Sequence, residues 1–208
     1  MRQCYDSLAG QVDHMFIIRN GGWRDTWPDG PRLTIVDFHS GRKLPIHEWW
    51  NTGIDAAAKY AADNCVTKWN TLIVNDDVIA EPDAVMVLAK AMRDSTADMV
   101  SPPRPGWVAD KEILLLKDAF PNLGGALWVC GWFFMLRGET GLHADTRLFW
   151  WYGDNDLEWQ ARYGGGTLIV PGSNVVNQHP NVYAQDMSIE IMADGKLFKE
   201  KWPQAQLS

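Results

Sequence analysis

Three stations along the 208-residue chain carry side chains able to do acid, base or metal chemistry: Asn75-Asp76-Asp77, Asp154 and His179. The first directly follows Thr71 to Val74 (TLIV), a β-rich run, so its carboxylates stand at the C-terminal end of a predicted strand. In open α/β sheets that end is where ligands bind. Two adjacent acids on a strand point to opposite faces. In the turn that follows, one can take a divalent metal while the other takes a hydroxyl or a metal-bound water. Turn chemistry, or a capping cluster ahead of Pro82, accounts for the same residues without a ligand.

Asp154 lies in the run Phe149-Trp150-Trp151-Tyr152-Gly153-Asp154-Asn155-Asp156, just ahead of a helical pattern from Leu157 to Tyr163. An Asp at a helix start often does no more than cap it. A carboxylate among aromatic rings can instead hold its proton more tightly and act as general base toward a sugar hydroxyl. His179, before Pro180, can complete a metal shell of carboxylate and phosphate oxygens, or serve structurally. Gly164-Gly165-Gly166 precedes a strand and lacks a following Lys-Ser or Lys-Thr pair, which makes it a helix-to-strand turn and not a phosphate loop.

These stations need a scaffold, and the pattern supplies an alternation of short strands and helices, the signature of an α/β sheet. Strands are expected at Met15 to Arg19, Leu33 to Phe38, Thr71 to Val74, Met99 to Ser101, Thr167 to Val170 and Asn174 to Val176, with a bent strand in Ala126 to Leu136. Turn residues at Asn20-Gly21-Gly22 and Ser40-Gly41 close the first two. Helices are expected from Ile46 through Ala61, from Glu81-Pro82-Asp83 to Arg93, from Leu157 to Tyr163, and in part of Met187 to Trp202. The stretch Arg104 to Leu123 shows no firm period. With no linker or internal repeat, one domain over 1–208 is expected.

A net charge of −7 leaves no basic field for a nucleic-acid backbone. An acidic protein that binds a diphosphate needs a divalent cation as mediator, because its carboxylates otherwise repel the ligand. Cys4, Cys65 and Cys130 are odd in number and lack CxxC spacing, which points to reduced thiols and a cytoplasmic setting. No apolar run approaches the roughly 20 residues of a membrane span. Twelve tryptophans suit sugar-stacking surfaces and ordinary cores equally, with Trp132, Trp150 and Trp151 as stacking candidates.

The run TLIVNDDV, the block GWFFMLRGETGLHADTRLFWWYGDNDLEWQARYGG and the ending VPGSNVVNQHP together resemble glycosyltransferase family 2 and its GT-A relatives. RQCYDSLAGQVDHMFIIRNGG resembles the family's first helix and second strand, and WNTGIDAAAKYA its "N.G...A" helix, so the likeness covers nearly the whole chain. It implies a GT-A three-layer α/β/α sandwich on a mostly parallel central sheet. By the same resemblance Asp77 is the metal ligand of a DXD-like triplet and Asp76 its ribose or metal-shell neighbour. Asp154 is then the catalytic base, His179 a further metal ligand, and Asn20 a contact to the nucleotide base. The implied cofactor is Mg²⁺ or Mn²⁺. The implied partners are a nucleotide-diphosphate sugar donor and a hydroxyl acceptor on a glycan, protein or small molecule.

Two departures bear on the site: Asn75 stands where the family has Asp, and Gly153 where it commonly has Glu. The second leaves the base at Asp154 or, as the lesser candidate, Asp156. The family's first strand is also missing ahead of Arg2. We therefore expect Met1 to be an internal methionine of a longer frame carrying roughly 10 to 20 more residues, enough for one strand and its turn. A sugar-phosphate nucleotidyltransferase would need a glycine-rich basic loop near its start, which is absent. A non-catalytic sugar-nucleotide or glycan-binding module is the alternative.

Overall fold

The computed structural model describes residues 1–20, 31–39, 45–104, 106, 110–115, 129–178 and 187–205. Helices α1 (Arg2–Leu8), α2 (Ile46–Asp63), α3 (Ala84–Asp94), α4 (Gly153–Tyr163) and α5 (Ser188–Lys201) alternate with short strands. The strands are β1 (Met15–Arg19), β2 (Leu33–Asp37), β3 (Asn70–Val74), β4 (Val78–Ala80), β5 (Met99–Ser101), β6 (Ile113–Leu115), β7 (Phe133–Arg137), β8 (Thr167–Ile169) and β9 (Val175–Asn177). None of the helices is long and apolar enough to cross a membrane.

The α/β class agrees with the pattern, but the central sheet is not mostly parallel. Its order is β3-β7-β5-β8-β6, and only β5 and β8 run parallel. β7 lies antiparallel between β3 and β5, and β6 antiparallel on β8. A parallel neighbour needs a crossover of a dozen or more residues, usually helical. No helix separates β5, β6 and β7 among the described residues, so nothing there imposes a parallel return. β1 and β2 form a separate parallel pair, and β4 and β9 a small antiparallel one.

β7 explains how the core divides. Its period of two sends Phe133 and Met135 to a cluster with Leu88 and Met92 of α3, and Phe134 and Leu136 to one with Ile54 of α2 and Leu157 of α4. Helices therefore cover both faces, and a strand buried on both sides reads as a continuous apolar run. The apolar stretch ahead of it begins outside the described residues, which leaves Phe133–Arg137 as the strand seen. On α3, Val85, Leu88 and Met92 recur at helical spacing and are buried. The glycine triplet Gly164–Gly166 is a helix-to-strand turn, as its context implies.

Candidate functional site

A cavity of about 1330 Å³ opens between β1, β3, α2 and the segment leading into α4. Asn20, Asp76, Asp77 and Asp154, separated along the chain, all line it. The first acidic station is a tight turn between β3 and β4. The Asn75 N–H donates to Trp132 O at 3.1 Å, and Asn75 O accepts the Val78 N–H at 3.3 Å. This turn leaves Asp76 exposed and Asp77 half-buried. His179 falls outside the described residues. The residue before it, Gln178, donates its N–H to Asp77 O at 3.0 Å, because β9 pairs with β4 with Asn177 opposite Val78.

Among the described residues no three His, Cys, Asp or Glu side chains converge into a closed metal cage. The acidic turn nonetheless fits Mg²⁺ or Mn²⁺, since these ions take one or two carboxylates and fill their shell with phosphate oxygens and water.

Asp154 sits in the first turn of α4. Tyr152 precedes the helix at φ 66°, a left-handed conformation unusual for a non-glycine residue, and this bends the chain sharply into α4. The carboxylate packs directly on Gly131, where a β-carbon would overlap its Oδ2. Burial pushes the Asp154 pKa up to about 6. The Asn155 N–H and the charge of Arg104 act against that shift, and buried Glu158 reinforces it.

Asp156 is occupied by the fold. It is fully buried, and its Oδ2 accepts the Asp145 N–H at 3.0 Å and the Gln160 amide at 2.8 Å. Its Oδ1 accepts the Trp202 indole N–H at 2.8 Å and meets Lys201 Nζ at 2.7 Å. This carboxylate ties α5 to α4 and leaves no lone pair open to a substrate, whereas Asp154 faces the cavity.

Two residues with no mark in the sequence hold the segment before Asp154. Buried Asp194 of α5 accepts three successive backbone N–H groups, from Phe149 at 2.7 Å, Trp150 at 2.8 Å and Trp151 at 2.9 Å. His47, at the start of α2, donates Nδ1–H to Leu148 O at 3.0 Å. Burial lowers its pKa and keeps the ring neutral. Lying about 40 and 100 residues from the segment, neither could have been found by local spacing.

His47 also explains the departure at Gly153. A β-carbon there would overlap the His47 ring, which is itself buried and pinned, so glycine is the residue that fits. Gly153→Ala is expected to cost about 1–3 kcal/mol, the range for overpacking a well-filled site. The urea midpoint measures it, and an unchanged midpoint would show that His47 can yield.

Trp49, Trp50, Trp132, Trp150 and Trp151 line the cavity, with Trp49 and Trp150 edge-on at 6.5 Å. The indole N–H groups of Trp49 and Trp151 are buried without a protein partner. Cys4 and Cys130 are buried free thiols, pushed up by desolvation to about 11 and about 12, and so are poor nucleophiles. No protein-family model, curated protein or solved structure matches the chain.

Proposed function

We propose that this protein is a metal-dependent inverting glycosyltransferase of GT-A type, moving a sugar from a nucleotide-diphosphate donor to a hydroxyl acceptor. The observation that carries the reading is Asp154, a carboxylate of raised proton affinity that opens on the same cavity as the acidic turn Asp76-Asp77 and as Asn20. A general base works best with a pKa near the operating pH, and burial has moved Asp154 in that direction. The tryptophan walls present flat apolar faces to sugar rings.

Asp77, with Asp76 beside it and His179 as a further ligand, would hold a divalent ion, which would supply charge neutralisation for the diphosphate leaving group. Asp154 accepts the proton of the acceptor hydroxyl while that oxygen bonds to the anomeric carbon. The bond from that carbon to the phosphate oxygen breaks, and its electron pair leaves on the nucleoside diphosphate. A single displacement from the opposite face inverts the anomeric centre. Because Asp154 must be ionised to act, transfer should fall as pH drops below about 6.

The test is a thermal-shift panel of nucleotide sugars with and without Mn²⁺, followed by assay of nucleoside diphosphate release. Asp77→Ala is expected to abolish Mn²⁺-dependent binding of nucleoside diphosphate, read by calorimetry. Retained affinity in a folded variant would remove Asp77 from the ligand set. The second reading, a non-catalytic sugar-nucleotide or glycan-binding module, is favoured by the open gap between β1 and β3 beside the site. Binding without diphosphate release would establish it.

A further inference from the structure

Behind Asp154 on α4 lie two charged side chains to which the proposed reaction assigns no part. Glu158 and Arg162 follow it at intervals of four residues, so the three stand along one face of the helix, one turn apart. Glu158 is 1% exposed and pairs directly with the Arg162 guanidinium. The Arg162 side chain is 9% exposed, and its guanidinium carbon lies 4.5 Å from the centre of the Trp159 ring.

Stability does not account for this pair. Two ions leaving water lose about as much as their attraction returns, and apolar residues of similar volume commonly hold a fold as well or better. The pair is also incompletely satisfied, since Arg162 Nε is buried without a hydrogen-bond partner. Other ion pairs at the same spacing, Lys59 with Asp63 and Lys90 with Asp94, lie at the surface, where the charges keep their water.

What the pair does to Asp154 follows from its direction. The carboxylate of Glu158 is one turn from Asp154 and the guanidinium two, so repulsion from the nearer charge is about twice the attraction from the farther one. Glu158 accordingly strengthens the hold of Asp154 on a proton, adding to the larger effect of burial. Against it stand the Asn155 and Asp154 N–H groups at the helix start, and the charge of Arg104, which follows β5. Cys130 and Tyr152 also face Asp154, but both stay protonated: desolvation carries the Cys130 thiol to about 12 and raises Tyr152 as well. His47, packed on Gly153, is neutral. Burial pushes Glu158 itself up, and the charge and hydrogen bond of Arg162 hold it down. Arg162 thus keeps a negative charge one turn from the base.

We propose that Glu158 and Arg162 are a positioning pair that sets the basicity of Asp154 by placing a buried charge of the same sign one turn behind it. The consequence for sugar transfer rests on the reading of Asp154 as general base, whereas the consequence for the Asp154 carboxyl does not.

Glu158→Gln removes the nearer charge and leaves the farther one. Carbon-13 titration of the Asp154 carboxyl in the 208-residue protein, assigned by its absence from Asp154→Asn, should show a pKa lower than the parent's by about one unit. The acid limb of the transfer rate should move down with it. At pH 5 the variant would then keep about five times the fraction of its plateau rate that the parent keeps. Because Glu158→Gln strands a buried guanidinium, the double variant Glu158→Gln/Arg162→Met is measured beside it. With both charges gone and neither stranded, the Asp154 pKa should fall by about half as much. A folded variant whose Asp154 titrates as in the parent, or higher, overturns the proposal whatever the transfer rate does, and leaves the pair a structural one. A lowered titration with an acid limb that stays in place supports the pair and removes Asp154 as the base. When titration and limb move down together, both readings stand.

Discussion

Asp154→Asn is expected to lower sugar transfer by about 10²–10⁴-fold, the usual loss when a positioned general base is removed, while donor binding survives. The same variant should be more stable than the parent at neutral pH. Burial holds the folded-state pKa at about 6, above the roughly 3.9 of an unfolded Asp. The protonated carboxyl therefore favours the fold. That contribution is fully present below about pH 4 and is lost as pH rises through 6, so at pH 8 the ionised group costs something on the order of 1–3 kcal/mol. Asn carries no charge and escapes the cost. Urea midpoints for the two proteins should thus coincide at pH 4 and separate in favour of the variant by pH 8. A variant that is inactive but less stable at pH 8 would make Asp154 a structural residue. Asp156→Asn should show the opposite profile, with milder loss of transfer and clear destabilisation, because that carboxylate pairs with Lys201 in the interior.

Asp194→Ala is expected to be the most destabilising change of those considered. It would leave the Phe149, Trp150 and Trp151 N–H groups without their carboxylate acceptor in one short segment. A buried donor left unsatisfied costs about 1–3 kcal/mol, and with these three part-buried a total of about 3 kcal/mol is expected, at the upper end of the usual range for a single substitution. The strain at Tyr152 adds to the expectation, since its left-handed backbone is held from both sides. Asp194 fixes the residues before it, and its ring stacks on Phe198 at 5.2 Å. Releasing Asp194 should let the turn relax and carry Asp154 off the cavity wall. Urea unfolding together with near-ultraviolet dichroism of the tryptophans would follow both effects. Asp194→Asn keeps one oxygen acceptor and should fall between the parent and Ala. Equal midpoints for all three proteins would refute the anchoring role.

The sequence alone determined what depends on neighbours in the chain. Short β-rich runs placed β1, β3 and β5, and helical spacing from Ile46 placed α2. A strand running into Asn75-Asp76-Asp77 put carboxylates at a sheet end, and the aromatic run before Leu157 put Asp154 at a helix start. Strand direction was not legible, since β6 lies within a stretch without period, β7 follows it, and both pair with partners far away in the chain. The choice between Asp154 and Asp156 was equally closed to local reading. Two carboxylates separated by one residue look alike in sequence, and what distinguishes them is Lys201 and Trp202 arriving from α5 to claim one of them. Gly153 reads as a lapse from a pattern until the His47 ring is found where its side chain would go. Local propensity records which element a residue belongs to. Which proton a carboxylate can take is set by the groups that tertiary packing brings within a few ångströms of it.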